Sequence, residues 1–103
     1  MILTVNFPSK KTALAFLDFF QFVPDERCLV GDWGRRYYVP KPGAYPEQKN
    51  SFPAYLWKKP FGPDKGIIQM VIFSSVVSQA ILANNHELNN SRINVLCMVE
   101  THQ

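Results

Sequence analysis

Apolar and polar residues first alternate along this chain and then recur at helical spacing. In MILTVNF, Leu3, Val5 and Phe7 alternate with Ile2, Thr4 and Asn6, the period-two pattern of a strand with one well-buried face. Pro8 and Ser9 interrupt it. Ser9 stands where a helix cap belongs, because Ala13, Phe16, Leu17, Phe20 and Val23 follow at helical spacing until Pro24. Leu14 and Phe19 widen the apolar side of this helix beyond what one sheet covers, so a neighbouring segment or a second chain is expected over it.

From Arg27, the apolar RCLV, the turn-like GDWG and the β-prone RRYYV together predict a hairpin. Residues 40–65 then hold Pro40, Pro42, Pro46, Pro53, Pro60 and Pro63, a density that excludes a regular helix or a central strand. A long loop is expected there, with at most a brief extended piece at AYLW. Its aromatics, Tyr45, Phe52, Tyr55, Trp57 and Phe61, give it something to fold onto.

Order returns at GIIQMVIF, where the nearly continuous apolar run Ile67 to Phe73 predicts a central strand. Ser74 and Ser75 offer a cap for a second helix, carried by Val76, Val77, Ala80, Ile81 and Leu82 and ended by Asn84 and Asn85. The turn-forming NNSR at 89–92 leads into INVLCMVE, whose alternation predicts the last strand.

Strand, helix, strand or hairpin, long loop, strand, helix, strand is the order of an α+β domain of the ferredoxin-like split βαβ type. That arrangement is an antiparallel sheet with two helices on one face, the first and third strands at the centre and the second and fourth at the edges. Cys28 would lie on one edge and Cys97 on the other, about three strand spacings of ~4.8 Å apart, which keeps both thiols free. The element order is shared with RNA-recognition domains, but their aromatic RNP1 pattern is missing, since VIFSSVV and RRYYVPKPG both fail it.

The length of 103 residues fits one domain, 1–103, and 47% hydrophobic against 18% charged residues places the chain among ordered globules. No apolar run approaches the roughly 20 residues that span a bilayer. The basic pair Lys10 and Lys11 follows the first apolar run instead of preceding it, unlike a secretory signal. The expectation is a soluble, cytoplasmic protein without membrane contact.

Charge sharpens this picture. Between Gly34 and Lys65, seven cations (Arg35, Arg36, Lys41, Lys49, Lys58, Lys59, Lys65) face two anions, a net +5, while the rest of the chain nets −2. Positive potential is concentrated where the aromatics are. Arg35, Arg36, Tyr37, Tyr38, Lys41, Tyr45, Tyr55, Trp57, Lys58 and Lys59 are therefore the candidate binding residues. Arg, Tyr and Trp are enriched at protein–protein hot spots, and the same residues can hold phosphates and stack on unpaired bases.

The leading expectation is a small non-enzymatic inhibitor or accessory factor that docks a protein partner, one that itself handles nucleic acid fitting the charge best. The competing expectation is direct binding of single-stranded nucleic acid. A third is a homodimeric binder of small molecules that pairs sheet to sheet around an apolar pocket. The plainer alternative is that the lysines guard a sheet edge and the aromatics pack the loop down.

Enzyme chemistry has little to stand on, and neither a metal nor a cofactor is expected. His86 follows the second helix and His102 is the penultimate residue, without the spacing of metal ligands. Asp25 and Glu26 are adjacent acids at a helix exit, and Gly31 and Gly34 lack the lysine and further glycines of a phosphate loop.

Overall fold

The structure, a computed structural model, describes residues 2–25, 34–45, 53–84 and 98–102. The first strand forms as its alternation predicts. In β1 (Ile2–Phe7), Leu3, Val5 and Phe7 are buried on the face the alternation marks, and Thr4 on the opposite face is buried as well. Ser9 then caps α1 (Lys10–Phe19) in a reciprocal box: its hydroxyl accepts from the Thr12 N–H at 3.3 Å, and its own N–H donates to Thr12 Oγ1 at 3.2 Å.

Helix α1 stops a turn earlier than its apolar spacing suggests. Gln21 takes a left-handed backbone, φ 58°, and its N–H donates to the Asp18 carbonyl at 3.1 Å, which turns the chain out of the helix. Val23, expected as the last apolar helix position, instead lies in β2 (Phe22–Pro24). Hydrophobic spacing alone cannot reveal this turn, because the residue that makes it is a glutamine and not the glycine that usually fills such a position.

β3 (Arg36–Pro40) pairs antiparallel with β2, Val23 opposite Val39. It also pairs with β4 (Ala54–Lys58), Tyr37 opposite Tyr55. This corrects the expectation of one long loop over 40–65, since AYLWK is an interior strand bonded to β3 on one side and to β5 (Ile68–Ile72) on the other. The prolines respect it: Pro53 and Pro60 flank β4 without entering it.

A short loop joins β4 to β5. Lys59 N–H donates to the Ile67 carbonyl at 2.8 Å and Gly66 N–H to the Lys59 carbonyl at 2.9 Å. The turn runs through Gly62 and Gly66 at φ 91° and 96°, angles that a side chain would strain.

Ser74 caps α2 (Ser75–Ala83), its hydroxyl accepting from the Val77 N–H at 3.3 Å, and Asn84 closes the helix through its side-chain amide to the Ala80 carbonyl at 2.8 Å. β6 (Met98–His102) pairs with β1, so His102, the penultimate residue, lies opposite Ile2 in the sheet. The expected strand from Arg27, Cys28, the turn residues 31–33, residues 46–52, His86, NNSR and residues 93–97 with Cys97 lie outside the described residues.

The six strands of the described residues form one antiparallel sheet in the order β2-β3-β4-β5-β1-β6. As expected, β1 and β5 are neighbours inside it and the last strand is an edge, while the other edge is β2. Phe16 of α1 and Val77 and Ile81 of α2 share one buried cluster with Leu3, Val5, Leu56, Met70 and Ile72, so both helices cover the same face. Phe16 sits at its centre, ring centroids 5.1 Å from Phe7 and 4.7 Å from Phe20. No helix among the described residues is long and apolar enough to cross a membrane.

Candidate functional site

The strand alternation that fills the core sends the intervening side chains to the sheet's other face, here called the outer face. Two rows cross it. One runs Tyr37, Tyr55, Val71, Thr4, and the next Trp57, Gln69, Asn6. Among the described residues no helix lies on this face.

The second row is hydrogen-bonded along its length. Trp57 Nε1–H donates to Gln69 Oε1 at 3.1 Å, and Gln69 Nε2–H donates to Asn6 Oδ1 at 2.9 Å. The indole is thus held by a polar relay across three strands, with Gln69 oriented from both sides.

Arg35 precedes β3 and brings its guanidinium over this surface. Its Cζ lies 4.6 Å from the Tyr55 ring centroid and 4.8 Å from that of Trp57. Both distances fall within the reach of a cation–π contact. Around it, Tyr55 meets Tyr37 at 6.0 Å, Trp57 at 5.3 Å and Phe73 at 6.0 Å, in tilted and edge-to-face arrangements. Tyr37, Tyr55 and Trp57 are half-buried and Phe73 is exposed. Burial raises the Tyr55 phenol pKa above 10.0, the Arg35 charge opposes that rise, and Tyr37 adds to it. The Arg35 Nε is buried and has no hydrogen-bond acceptor.

The ten candidate residues separate. Arg35, Tyr37, Tyr55 and Trp57 converge on the outer face. Tyr38 alternates to the helix side and packs against the core. Tyr45 also packs there, and its hydroxyl donates to the Phe20 carbonyl at 2.8 Å. It latches the segment after β3 onto the end of α1, and burial pushes its pKa up to about 12. Arg36 and Lys58 share the helix-side alternation and are exposed. Lys41 is exposed beyond β3, its N–H bonded to the Gln21 carbonyl at 2.8 Å. Lys59 folds back over the hairpin, its Nζ 3.8 Å from where a side chain on Gly62 would begin.

Phe73, Gln69 and Asn6 belong to the site and are missed by composition. Gln69 carries a usable signal as the lone polar residue within IIQMVIF, which marks the side of that strand turned from the core. Asn6 joins only through the β1–β5 register. Among the described residues no group of three or more His, Cys, Asp or Glu is placed to hold a metal. Among the described residues, the arrangement is an aromatic surface with the Arg35 guanidinium laid over two of its rings.

No known protein-family model matches the chain, and no curated protein or solved structure matches it.

Proposed function

We propose that this chain is a small non-enzymatic binding protein, an inhibitor or accessory factor that docks a protein partner through the outer face of its sheet. The observation that carries this reading is the Arg35 guanidinium seated over Tyr55 and Trp57, with the indole fixed by Gln69 and Asn6. Trp, Tyr and Arg dominate hot spots because they bring large area and directional contacts at low ordering cost, and here they are already ordered. Taken over β6, β1, β5 and β4, the sheet order supports the split βαβ frame, with β2 and β3 as an added hairpin.

Direct binding of single strands is less well supported, although the segment's net +5 favours it. A base needs an open ring face to stack on, and Arg35 occupies one over Tyr55 and one over Trp57. A phosphate track needs several cations on one surface, whereas Arg36 and Lys58 alternate to the helix side and Lys59 turns back over the hairpin.

Two assays test this. Labelled single- and double-stranded DNA and RNA are titrated with the protein at about 50 and 200 mM salt, a range over which phosphate-driven binding collapses. Capture from a lysate of the source cells then compares wild type with Trp57→Ala. The reading expects weak nucleic-acid binding and a protein captured by wild type and lost from the variant. Micromolar, salt-sensitive binding of an oligonucleotide without such a protein would overturn it.

A further inference from the structure

We infer that Asn6 is a positioning residue for docking: acting through Gln69, it fixes the Trp57 indole so that the ring presents carbon, and not its N–H, to an apolar side chain of the partner. This rests on the protein-docking reading above and names both what holds its central residue and what that residue receives. Trp57 stands directly opposite Gln69, and Gln69 directly opposite Asn6, so the three side chains form one row over β4, β5 and β1.

The direction of each bond in that row is forced. An indole nitrogen donates and cannot accept, so the 3.1 Å contact obliges Gln69 to turn its Oε1 toward Trp57. Its Nε2 then faces β1, and the 2.9 Å contact obliges Asn6 to present its Oδ1. A change at Asn6 therefore reaches an indole it does not touch. Once released by Asn6, the Gln69 amide is free to rotate and no longer holds its oxygen in place.

Packing alone does not choose the ring's orientation. Tyr55 meets the indole edge to face at 5.3 Å, and the Arg35 Cζ lies 4.8 Å from its centroid. Both contacts act on the ring as a whole, whereas the torsion that carries an indole is broad and roughly two-fold, so a ring turned over keeps much of them. The N–H distinguishes the two settings, and the relay takes it. With its one polar atom bonded inside the sheet, the half-buried Trp57 has carbon left for a partner, and the exposed Phe73, beside the neighbouring Tyr55, adds more of the same. A ring fixed beforehand spares its ordering cost on binding.

The test uses the whole chain labelled with 15N and 13C, the Trp57 indole signal being assigned by its loss in Trp57→Phe. Two readouts are followed: hydrogen exchange of the indole N–H, and ring-carbon shifts on titration with N-acetyl-leucinamide or N-acetyl-glycinamide, which differ only in the side chain. Asn6→Ala removes the last acceptor, Gln69→Met keeps the side chain's length without either bond, and Asn6→Asp keeps the acceptor. In wild type, N-acetyl-leucinamide is expected to shift the ring carbons saturably at millimolar levels and N-acetyl-glycinamide to leave them in place. Asn6→Ala and Gln69→Met are expected to speed indole exchange about tenfold, as fits the loss of one hydrogen bond, and to weaken the leucinamide response by a similar factor. Asn6→Asp is expected to match wild type, and all backbone spectra to stay folded. Overturning results are wild-type exchange and response in Asn6→Ala, no rescue in Asn6→Asp, or N-acetyl-glycinamide moving the indole N–H as strongly as N-acetyl-leucinamide. A leucinamide response kept in both relay variants would sink the positioning role and leave the docking reading standing. A wild type unmoved by N-acetyl-leucinamide would sink the apolar assignment; the docking reading then stands if Trp57→Ala loses the captured protein and falls with it if not.

Discussion

Replacing Arg35 by alanine separates a binding residue from a structural one, because its contributions to folding nearly cancel. Alanine removes two contacts at 4.6 and 4.8 Å to half-exposed rings. At about 0.5–1 kcal/mol each they amount to roughly 1–2 kcal/mol. It also removes a buried Nε–H without an acceptor. Leaving such a group unsatisfied costs about 1–3 kcal/mol, and freeing a long side chain returns further entropy. The net change in stability is expected to stay within about 1 kcal/mol, which in urea moves the unfolding midpoint by less than about 1 M. The Tyr55 phenol should respond in the opposite sense: losing a cation that opposes the burial-driven rise, its pKa climbs further in Arg35→Ala, as read by NMR of 13C-labelled tyrosine. A loss above about 2 kcal/mol would make Arg35 a keystone of the fold and refute the cancellation. An unmoved Tyr55 titration would refute the placement of the guanidinium over its ring.

Three further outcomes follow from the scaffold. Phe16, fully buried against Phe7 and Phe20, should cost about 3–5 kcal/mol as Phe16→Ala, and a urea midpoint near wild type would contradict its central place in the core. Tyr45 should make stability sensitive to alkali: its folded pKa is about 12 against an ordinary 10.0, so ionisation above pH 10 favours the unfolded chain. Its contribution is complete below about pH 10 and is lost as pH rises toward about 12. Tyr45→Phe should flatten that decline and lose about 1 kcal/mol at neutral pH with the bond to the Phe20 carbonyl, whereas an unchanged pH slope would speak against the burial of this phenol. Gln21→Gly should stabilise by about 0.5–1 kcal/mol, raising the melting temperature by about 2–6 °C, because φ 58° is costly for a side chain; a lower melting temperature would contradict the turn at the end of α1.

What was legible in the residues follows from where the physics is local. The caps Ser9 and Ser74 act within one turn, and the buried alternation of β1 and the apolar run of β5 each lie within one segment. The end of α1 was not legible, since Val23 continues the helical spacing and only the backbone of Gln21 breaks it. Strand β4 was hidden by proline density, although Pro53 and Pro60 bracket five residues that pair on both sides.

The site shows the same division. That arginine, tyrosine and tryptophan gather between 35 and 57 is plain from composition, but which of them share a surface depends on β3–β4 register and on the parity of each strand. Parity sends Tyr38 to the core and Tyr37 to the outer face, though the two are adjacent and identical in chemistry. Gln69 and Asn6 lie 63 residues apart in sequence and meet only because β5 and β1 are neighbours.

The most direct test of the central claim sets two variants against each other in one capture experiment. Wild type, the outer-face variant Arg35→Ala with Trp57→Ala, and the hairpin variant Lys58→Ala with Lys59→Ala are immobilised and offered the same source lysate at about 0.5 M salt, where exposed charge pairing is largely screened. Outer-face docking predicts one protein retained by wild type and by the hairpin variant and absent from the outer-face variant. Retention by the outer-face variant at the wild-type level, with loss from the hairpin variant, would contradict it and move the site to the lysines.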